Sequence, residues 1–280
     1  MQSPLGIIAG EGIFPVLIAR GARASGRRVV CAAFAGHGWP SLRQEVDVFG
    51  WVGVVRMSQW IKLFHAHGVT EAILVGRVAK GVTHEKWTLL RYIPDWRSAK
   101  LLWRVARHDK RPQTWLDMIA AELEENGIRL IDQTTYTIDQ LSTEGVMTSR
   151  QPTERQWVDI RHGYERATAI SRLDIGQCIA IKDKDVIAVE AIEGTNAMIE
   201  RAGKLCRTGG WTLIKVSNTN QDLRVDVPTI GTTTIEKLNN AGATCIVLEP
   251  GKTVILEKTK VLELADRYKI AIVGYGGEKP

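Results

Sequence analysis

The chain has 280 residues, 44% hydrophobic and 24% charged, the balance of a globular protein with room for two domains of ordinary size. No apolar run approaches the roughly 20 residues that cross a bilayer. The opening Met1-Gln2-Ser3-Pro4-Leu5 lacks the basic start and apolar stretch of a signal peptide, so a cytoplasmic protein is expected.

Strand and helix alternate through the first half. Gly6-Ile7-Ile8-Ala9 reads as a short apolar strand, and a glycine turn leads to a helix from about Pro15 to Ala24. Pro15 suits the first helical turn, where a missing N–H costs nothing, and Gly26 ends the helix. Strands follow at Arg28–Ala33, Val46–Phe49 and Ala72–Gly76, with a helix from about Ser58 to His67 before the last of them. Helices near 98–107 and 113–125 and the strand Ile128–Ile131 close the half. This order implies a parallel sheet flanked by helices, a Rossmann-like domain over residues 1–133.

The chain then turns polar and irregular, and residues 134–153 are expected as a linker. The remainder, 154–280, opens with a helix from about Glu154 to Ser171. A hairpin follows, Gln177–Ile181 and Val186–Glu190 around the turn Lys182-Asp183-Lys184-Asp185. A helix beginning near Thr195, the strand Trp211–Val216 and a helix near Thr233–Ala241 come next. Strands Thr244–Leu248, Thr253–Leu256 and Ile270–Val273 complete the chain, with a helix between about Lys258 and Tyr268. The fold class is therefore α/β: a Rossmann-like parallel sheet followed by a mixed α/β domain that would carry the catalysis.

Cys31, Cys178, Cys206 and Cys245 are scattered, without C-x-x-C spacing or neighbouring histidines. Small buried hydrophobes explain Cys31, Cys178 and Cys245 better than a disulfide framework or a zinc site. The net charge of +6 favours anionic partners: nucleotides, phosphates or an anionic membrane face.

Three stretches carry chemistry. Gly10-Glu11-Gly12 follows a strand and opens a helix, the setting in which amide groups and the helix dipole hold a phosphate. A plain tight turn is the equal alternative. Pro15 replaces the third glycine of a dinucleotide fingerprint, and no acidic residue ends the second strand. Between 84 and 115, Trp87, Trp96, Trp103 and Trp115 alternate with Lys86, Arg91, Arg97, Lys100, Arg104 and Arg107. That composition suits a lipid interface or single-stranded nucleic acid, and equally an amphipathic helix with buried indoles.

The third stretch is a carboxylate-rich set of strand ends. Glu193, Gly194 and Thr195 stand between a strand and a helix, which makes Thr195 a helix cap or a phosphate donor. Asp222, Arg224 and Asp226 alternate, so an extended chain projects them to one side. They read either as an ion-pair cluster or as a site where Glu190, Glu193, Asp222 and Asp226 hold a divalent metal while Arg224 receives phosphate oxygens.

Leu173-Asp174-Ile175-Gly176-Gln177, Val189-Glu190-Ala191-Ile192-Glu193-Gly194-Thr195 and Arg224-Val225-Asp226-Val227-Pro228-Thr229-Ile230-Gly231 together resemble the signature of the LpxI-type UDP-2,3-diacylglucosamine pyrophosphatases. Glu249-Pro250-Gly251-Lys252-Thr253, Ile7–Gly12, Phe14-Pro15 and Gly76-Arg77-Val78 are similar to further parts of that family, so the resemblance spans nearly the whole chain. It implies metal-dependent hydrolysis, with Mg²⁺ or another divalent metal, of UDP-2,3-diacylglucosamine to UMP and 2,3-diacylglucosamine 1-phosphate in lipid A biosynthesis. Water would attack the phosphorus on the sugar side.

The family's essential aspartate falls on Asp226, joined in the expected catalytic set by Arg224 and Gln221, with Asp226, Glu190 and Asp222 at the metal. Substrate contacts are expected at Gly10, Gly12, Gly76, Arg77, Glu193, Gly194, Thr195, Lys215, Thr229 and Gly231. The resemblance further implies a homodimer, peripheral contact with the inner face of the inner membrane, and no nucleic-acid partner. Two other readings stand beside it: a non-catalytic binder of anionic lipid or nucleotide, and a nucleotide-dependent oxidoreductase.

Overall fold

The computed structural model describes residues 2–36, 40–77, 93–108, 112–217, 223–224 and 227–277, in two compact units that divide between Thr137 and Ile138. Residues 223–224 go with the first unit, where the Gln133 N–H donates to Leu223 O at 3.1 Å.

In the first unit β1 (Leu5–Ala9), β2 (Val29–Phe34), β3 (Val48–Val52), β4 (Glu71–Val75) and β5 (Arg129–Leu130) form a wholly parallel sheet of order β3-β2-β1-β4-β5. Helix α1 (Phe14–Ala24) joins β1 to β2, α2 (Met57–Ala66) joins β3 to β4, and α3 (Trp96–His108) and α4 (Pro112–Glu125) precede β5. Every residue of β1 and β2 is buried, as expected of continuous apolar strands covered on both faces. On one face Ile8, Val30 and Phe34 pack with Trp60, Phe64 and Leu123. Gly6 is required there: a Cβ would stand 2.9 Å from Phe64 Cζ and from Val69 Cγ1.

The tryptophan-rich stretch does not bury the indoles of Trp96 and Trp103. Trp96 is 86% exposed and Trp103 is 57% exposed, on the same side of α3, while Ser98 and Leu101 turn inward. Trp87 and the side chain of Trp115 lie outside what the structure describes.

In the second unit the six-stranded sheet has the order β6-β13-β11-β9-β7-β8. Its strands are β6 (Gly145–Val146), β7 (Cys178–Lys182), β8 (Asp185–Val189), β9 (Trp211–Lys215), β11 (Ala243–Leu248) and β13 (Ala271–Gly274). β9, β11 and β13 run parallel, whereas β7 pairs antiparallel with β8 and β9, and β6 with β13. A separate parallel pair joins β10 (Thr229–Ile230) to β12 (Val254–Ile255). Helix α5 (Glu154–Arg172) covers one face through Ile160 and Ala167, packed with Ile179, Ile181, Ile214 and Val216. Helices α6 (Thr195–Leu205), α7 (Thr232–Asn240) and α8 (Lys258–Arg267) cover the other, placing Met198, Leu238 and Val261 in the cluster of Cys178, Trp211 and Leu213.

The expected hairpin tightens to a two-residue turn. Asp183 and Lys184 both have positive φ, 51° and 67°, the geometry that matches strand twist in short hairpins. Both amides donate to the buried Asp159 carboxylate, at 3.1 and 2.7 Å, which holds the turn against α5. The stretch 134–153 belongs partly to the units themselves: Ile138–Gln140 forms a short 3-10 turn and β6 is an edge strand on β13.

Two stability tests follow from local interactions. Thr153 and Gln156 make a capping box at the start of α5, the Gln156 N–H donating to Thr153 Oγ1 at 3.2 Å and the Thr153 N–H to Gln156 Oε1 at 3.0 Å. Thr153→Ala is expected to cost about 1 kcal/mol, read as a lower urea midpoint at unchanged slope. At the edge of β4, hydrogen bonds from Arg129 and then Arg27 hold the Glu71 carboxyl below its usual range. Because its folded pKa is lowered, this stabilisation is complete above the unfolded value and is lost as pH falls through the folded one. Glu71→Gln should therefore show a smaller drop in thermal midpoint on acidification than the unsubstituted protein.

Candidate active site

Three strand ends converge in the second unit. Lys215 closes β9 and pairs across the ladder with Cys178, the first residue of β7. Glu190 follows β8, and its N–H donates to Cys178 O at 2.9 Å. The start of α6 brings Thr195 onto the same cluster. Lys215 Nζ donates to Thr195 Oγ1 at 3.3 Å and lies 3.7 Å from Cys178 Sγ; Thr195 Oγ1 donates to Glu190 Oε1 at 2.8 Å. Lys215 is 4% exposed and Glu190 is 6% exposed. The second carboxylate oxygen, Glu190 Oε2, is buried with no hydrogen-bond partner. Burial pushes the Cys178 thiol up to about 12, so Cys178 sits beside the ammonium as a neutral thiol.

The sequence around these residues folds as it does for local reasons. A Cβ on Gly176 would stand 2.0 Å from Glu190 O, so only glycine lets the chain entering β7 pass under the end of β8. Gly194, with φ 79° and ψ 165°, is the N-cap of α6, a conformation that disfavours any side chain. Thr195 is consequently the first helical residue rather than the cap, and its hydroxyl is engaged by Lys215 and Glu190. Glu193 is exposed and turned away: it pairs with Arg201 at 2.5 Å and accepts from the Ala191 N–H at 3.1 Å.

Polar residues to which the sequence assigned no role surround this cluster. The Ser217 N–H donates to Glu249 Oε2 at 2.9 Å, and Lys252 pairs with the other oxygen of that carboxylate. Ser217 Oγ and Gln177 Oε1 are, like Glu190 Oε2, buried and unpartnered. Their one sequence signal is position: Ser217 and Glu249 follow the parallel strands β9 and β11, at the end where open α/β sheets bind ligands, and Gln177 enters the antiparallel β7 opposite the end of β9. Among the other expected contacts, Thr229 lies in β10 paired with Val254, and Gly231 is the N-cap of α7. Gly231 has an extended φ of −146° and only Leu256 Cβ, at 3.9 Å, near a would-be Cβ, so nothing there demands glycine.

In the first unit the glycines bind backbone to backbone. The Gly10 N–H donates to Val75 O at 2.8 Å, the Glu11 N–H to Arg77 O at 2.8 Å and the Arg77 N–H to Glu11 O at 3.0 Å. A Cβ on Gly10 would meet Arg77 O at 2.5 Å, and one on Gly76, at φ 95°, would meet Gly10 C at 2.7 Å. The amides of Gly10 and Glu11 are thus spent on the neighbouring loop, which weakens the dinucleotide reading. Gly12, at φ 111°, has open space around it, and the Arg77 side chain is exposed.

Asp226, Asp222 and Gln221 lie outside the described residues. Arg224 is half-buried in a turn at 223–224, so the described part of that segment is not the extended strand expected from its alternation. Among the described residues no group of three or more His, Cys, Asp or Glu side chains could hold a metal ion. One feature fits a hard cation, the free buried oxygen of Glu190, since such ions take oxygen ligands.

Two family descriptions match the chain: the LpxI N-terminal domain over residues 4–140 and the LpxI C-terminal domain over residues 143–273. Their border lies within a few residues of the division between the two structural units at Thr137 and Ile138. The UDP-2,3-diacylglucosamine pyrophosphatase LpxI of Caulobacter vibrioides is 29% identical over 279 residues, covering 96% of each chain.

Gly176 offers a test of how tightly the cluster is built. Gly176→Ala forces the end of β8 to shift and is expected to cost on the order of 1–3 kcal/mol. Chemical denaturation should show that loss, and a stability equal to that of the unsubstituted protein would contradict the close approach.

Proposed function

The chain belongs to the LpxI family, and on that premise we propose that it hydrolyses UDP-2,3-diacylglucosamine to UMP and 2,3-diacylglucosamine 1-phosphate, a step of lipid A biosynthesis. The observation that carries this reading is the match of both LpxI domains, in order, across residues 4–273. In the proposed reaction a water oxygen bonds to the phosphorus on the sugar side. The anhydride bond to that phosphorus breaks, and the bridging oxygen leaves with UMP.

Asp226 orients the attacking water, and Arg224 neutralises charge that develops on the phosphate oxygens. Gln221 lies in the same segment and completes the proposed catalytic set. Glu190, Asp222 and Asp226 hold a divalent cation such as Mg²⁺, and the free buried oxygen of Glu190 supports that assignment. When bound, such a cation offsets the charge of the diphosphate. The exposed Trp96 and Trp103, with Lys100 exposed between them, support contact with an anionic membrane face, where a diacylated substrate resides.

UMP release from the substrate in detergent tests the reading, with and without EDTA, for the unsubstituted protein and for Asp226→Ala. Release should need the metal and should fall at least about a hundredfold in the folded variant. In ¹⁸O-labelled water the label should enter the lipid phosphate; label in UMP would reverse the assigned point of attack. A folded protein that releases no UMP would overturn the proposed activity.

A further inference from the structure

Lys215 and Thr195 were expected to touch substrate, and their geometry assigns them different work. Lysine carries only donors and a carboxylate only acceptors, while a hydroxyl has a single proton to give. With Lys215 Nζ donating to Thr195 Oγ1 at 3.3 Å, the Thr195 proton goes to Glu190 Oε1 at 2.8 Å, and the chain of bonds has one direction. Thr195 therefore has no proton left to give a phosphate, and two of the three Lys215 N–H groups point at Thr195 Oγ1 and Cys178 Sγ. Lys215 is 4% exposed, with Cys178 Sγ as its other polar neighbour in the cluster.

The relay fixes Glu190 by one oxygen only. Its backbone is fixed as well, by the Glu190 N–H to Cys178 O bond and by Gly176 packed against Glu190 O. What remains is Oε2, buried and without a hydrogen-bond partner. A buried carboxylate oxygen left open is costly unless a partner completes it, and a hard cation, which takes oxygen ligands, is such a partner.

We propose that Lys215 and Thr195 are positioning residues, holding Glu190 so that Oε2 stands open as the ligand of a divalent cation. This rests on the hydrolase reading above for what the cation accompanies. The relay itself resembles the outer hydrogen bonds that orient metal-ligating carboxylates, whose loss costs tenfold or more in affinity.

The test is Mn²⁺ binding to the substrate-free protein, followed by electron paramagnetic resonance, together with kcat and KM for UMP release. Thr195→Val keeps the shape and removes the hydroxyl, and Lys215→Met removes the ammonium; each is first checked by circular dichroism and thermal unfolding. Both should weaken Mn²⁺ binding about tenfold and lower kcat by a similar factor at nearly unchanged KM. Thr195→Ser should recover most of what Thr195→Val loses. Loss of a nearby positive charge alone would tighten Mn²⁺ binding in Lys215→Met, so the direction of that shift separates positioning from simple repulsion. Should Lys215→Met not fold, Thr195→Val and Thr195→Ser decide the matter together.

A raised KM with unchanged kcat and Mn²⁺ affinity would restore the role of direct substrate contact and overturn the proposal. Wild-type behaviour of both variants, or an unsubstituted protein that takes up no Mn²⁺, would overturn it as well. A protein that binds Mn²⁺ but releases no UMP would sink the hydrolase reading alone, and the Mn²⁺ measurements on the variants would still judge the relay.

Discussion

A lysine ammonium buried at the end of a strand is the constraint on which the second unit's candidate site depends. Removing such a charge from water costs several kcal/mol unless hydrogen bonds and an opposite charge replace the solvent. At Lys215 the replacement is indirect: the Thr195 hydroxyl receives the ammonium and passes its own proton to Glu190. This demand dictates where α6 begins, because Thr195 must present its side chain to the strand ends from the first helical turn. Gly194 makes that possible by taking a backbone conformation closed to most residues. It dictates the crossing at Gly176 as well, since the end of β8 must lie close over the start of β7 for Glu190 to reach the cluster.

Glycine serves a second purpose in the first unit. Gly10 and Gly76 let the loops after β1 and β4 meet backbone to backbone, at the point where the strand order of the parallel sheet reverses. A glycine-rich turn at that point is commonly read as a phosphate cradle. Here two of its amides are consumed by Val75 O and Arg77 O, which shows how one local pattern can serve loop-to-loop packing as readily as ligand binding. The same ambiguity applied to Thr195, where a threonine before a helix suggested a cap and its hydroxyl proved to be a link in a buried relay.

Most of the elements were legible because their signals are local. The apolar runs of β1, β2 and β4, the proline at the start of α1 and the Asp183-Lys184 turn each carry their own cause. The exceptions share a different cause. β6 is a two-residue edge strand inside a polar stretch, held by its pairing with β13 rather than by any propensity of Gly145-Val146. Trp96 and Trp103 fit a buried or an exposed helix face equally well by spacing, and only the packing of Ser98 and Leu101 chose between them.

The sequence by itself determined the α/β class, the division into two units and the family, because periodicity, turn chemistry and motif order are properties of the chain. Only the tertiary structure decided which polar residues meet. Glu190, Thr195, Cys178 and Lys215 come from separate elements, and no spacing along the chain encodes the strand register that sets Cys178 opposite Lys215. A hydrogen bond depends on distance and direction in space, so the partner of each buried polar atom became readable only once the sheet had brought the strand ends together.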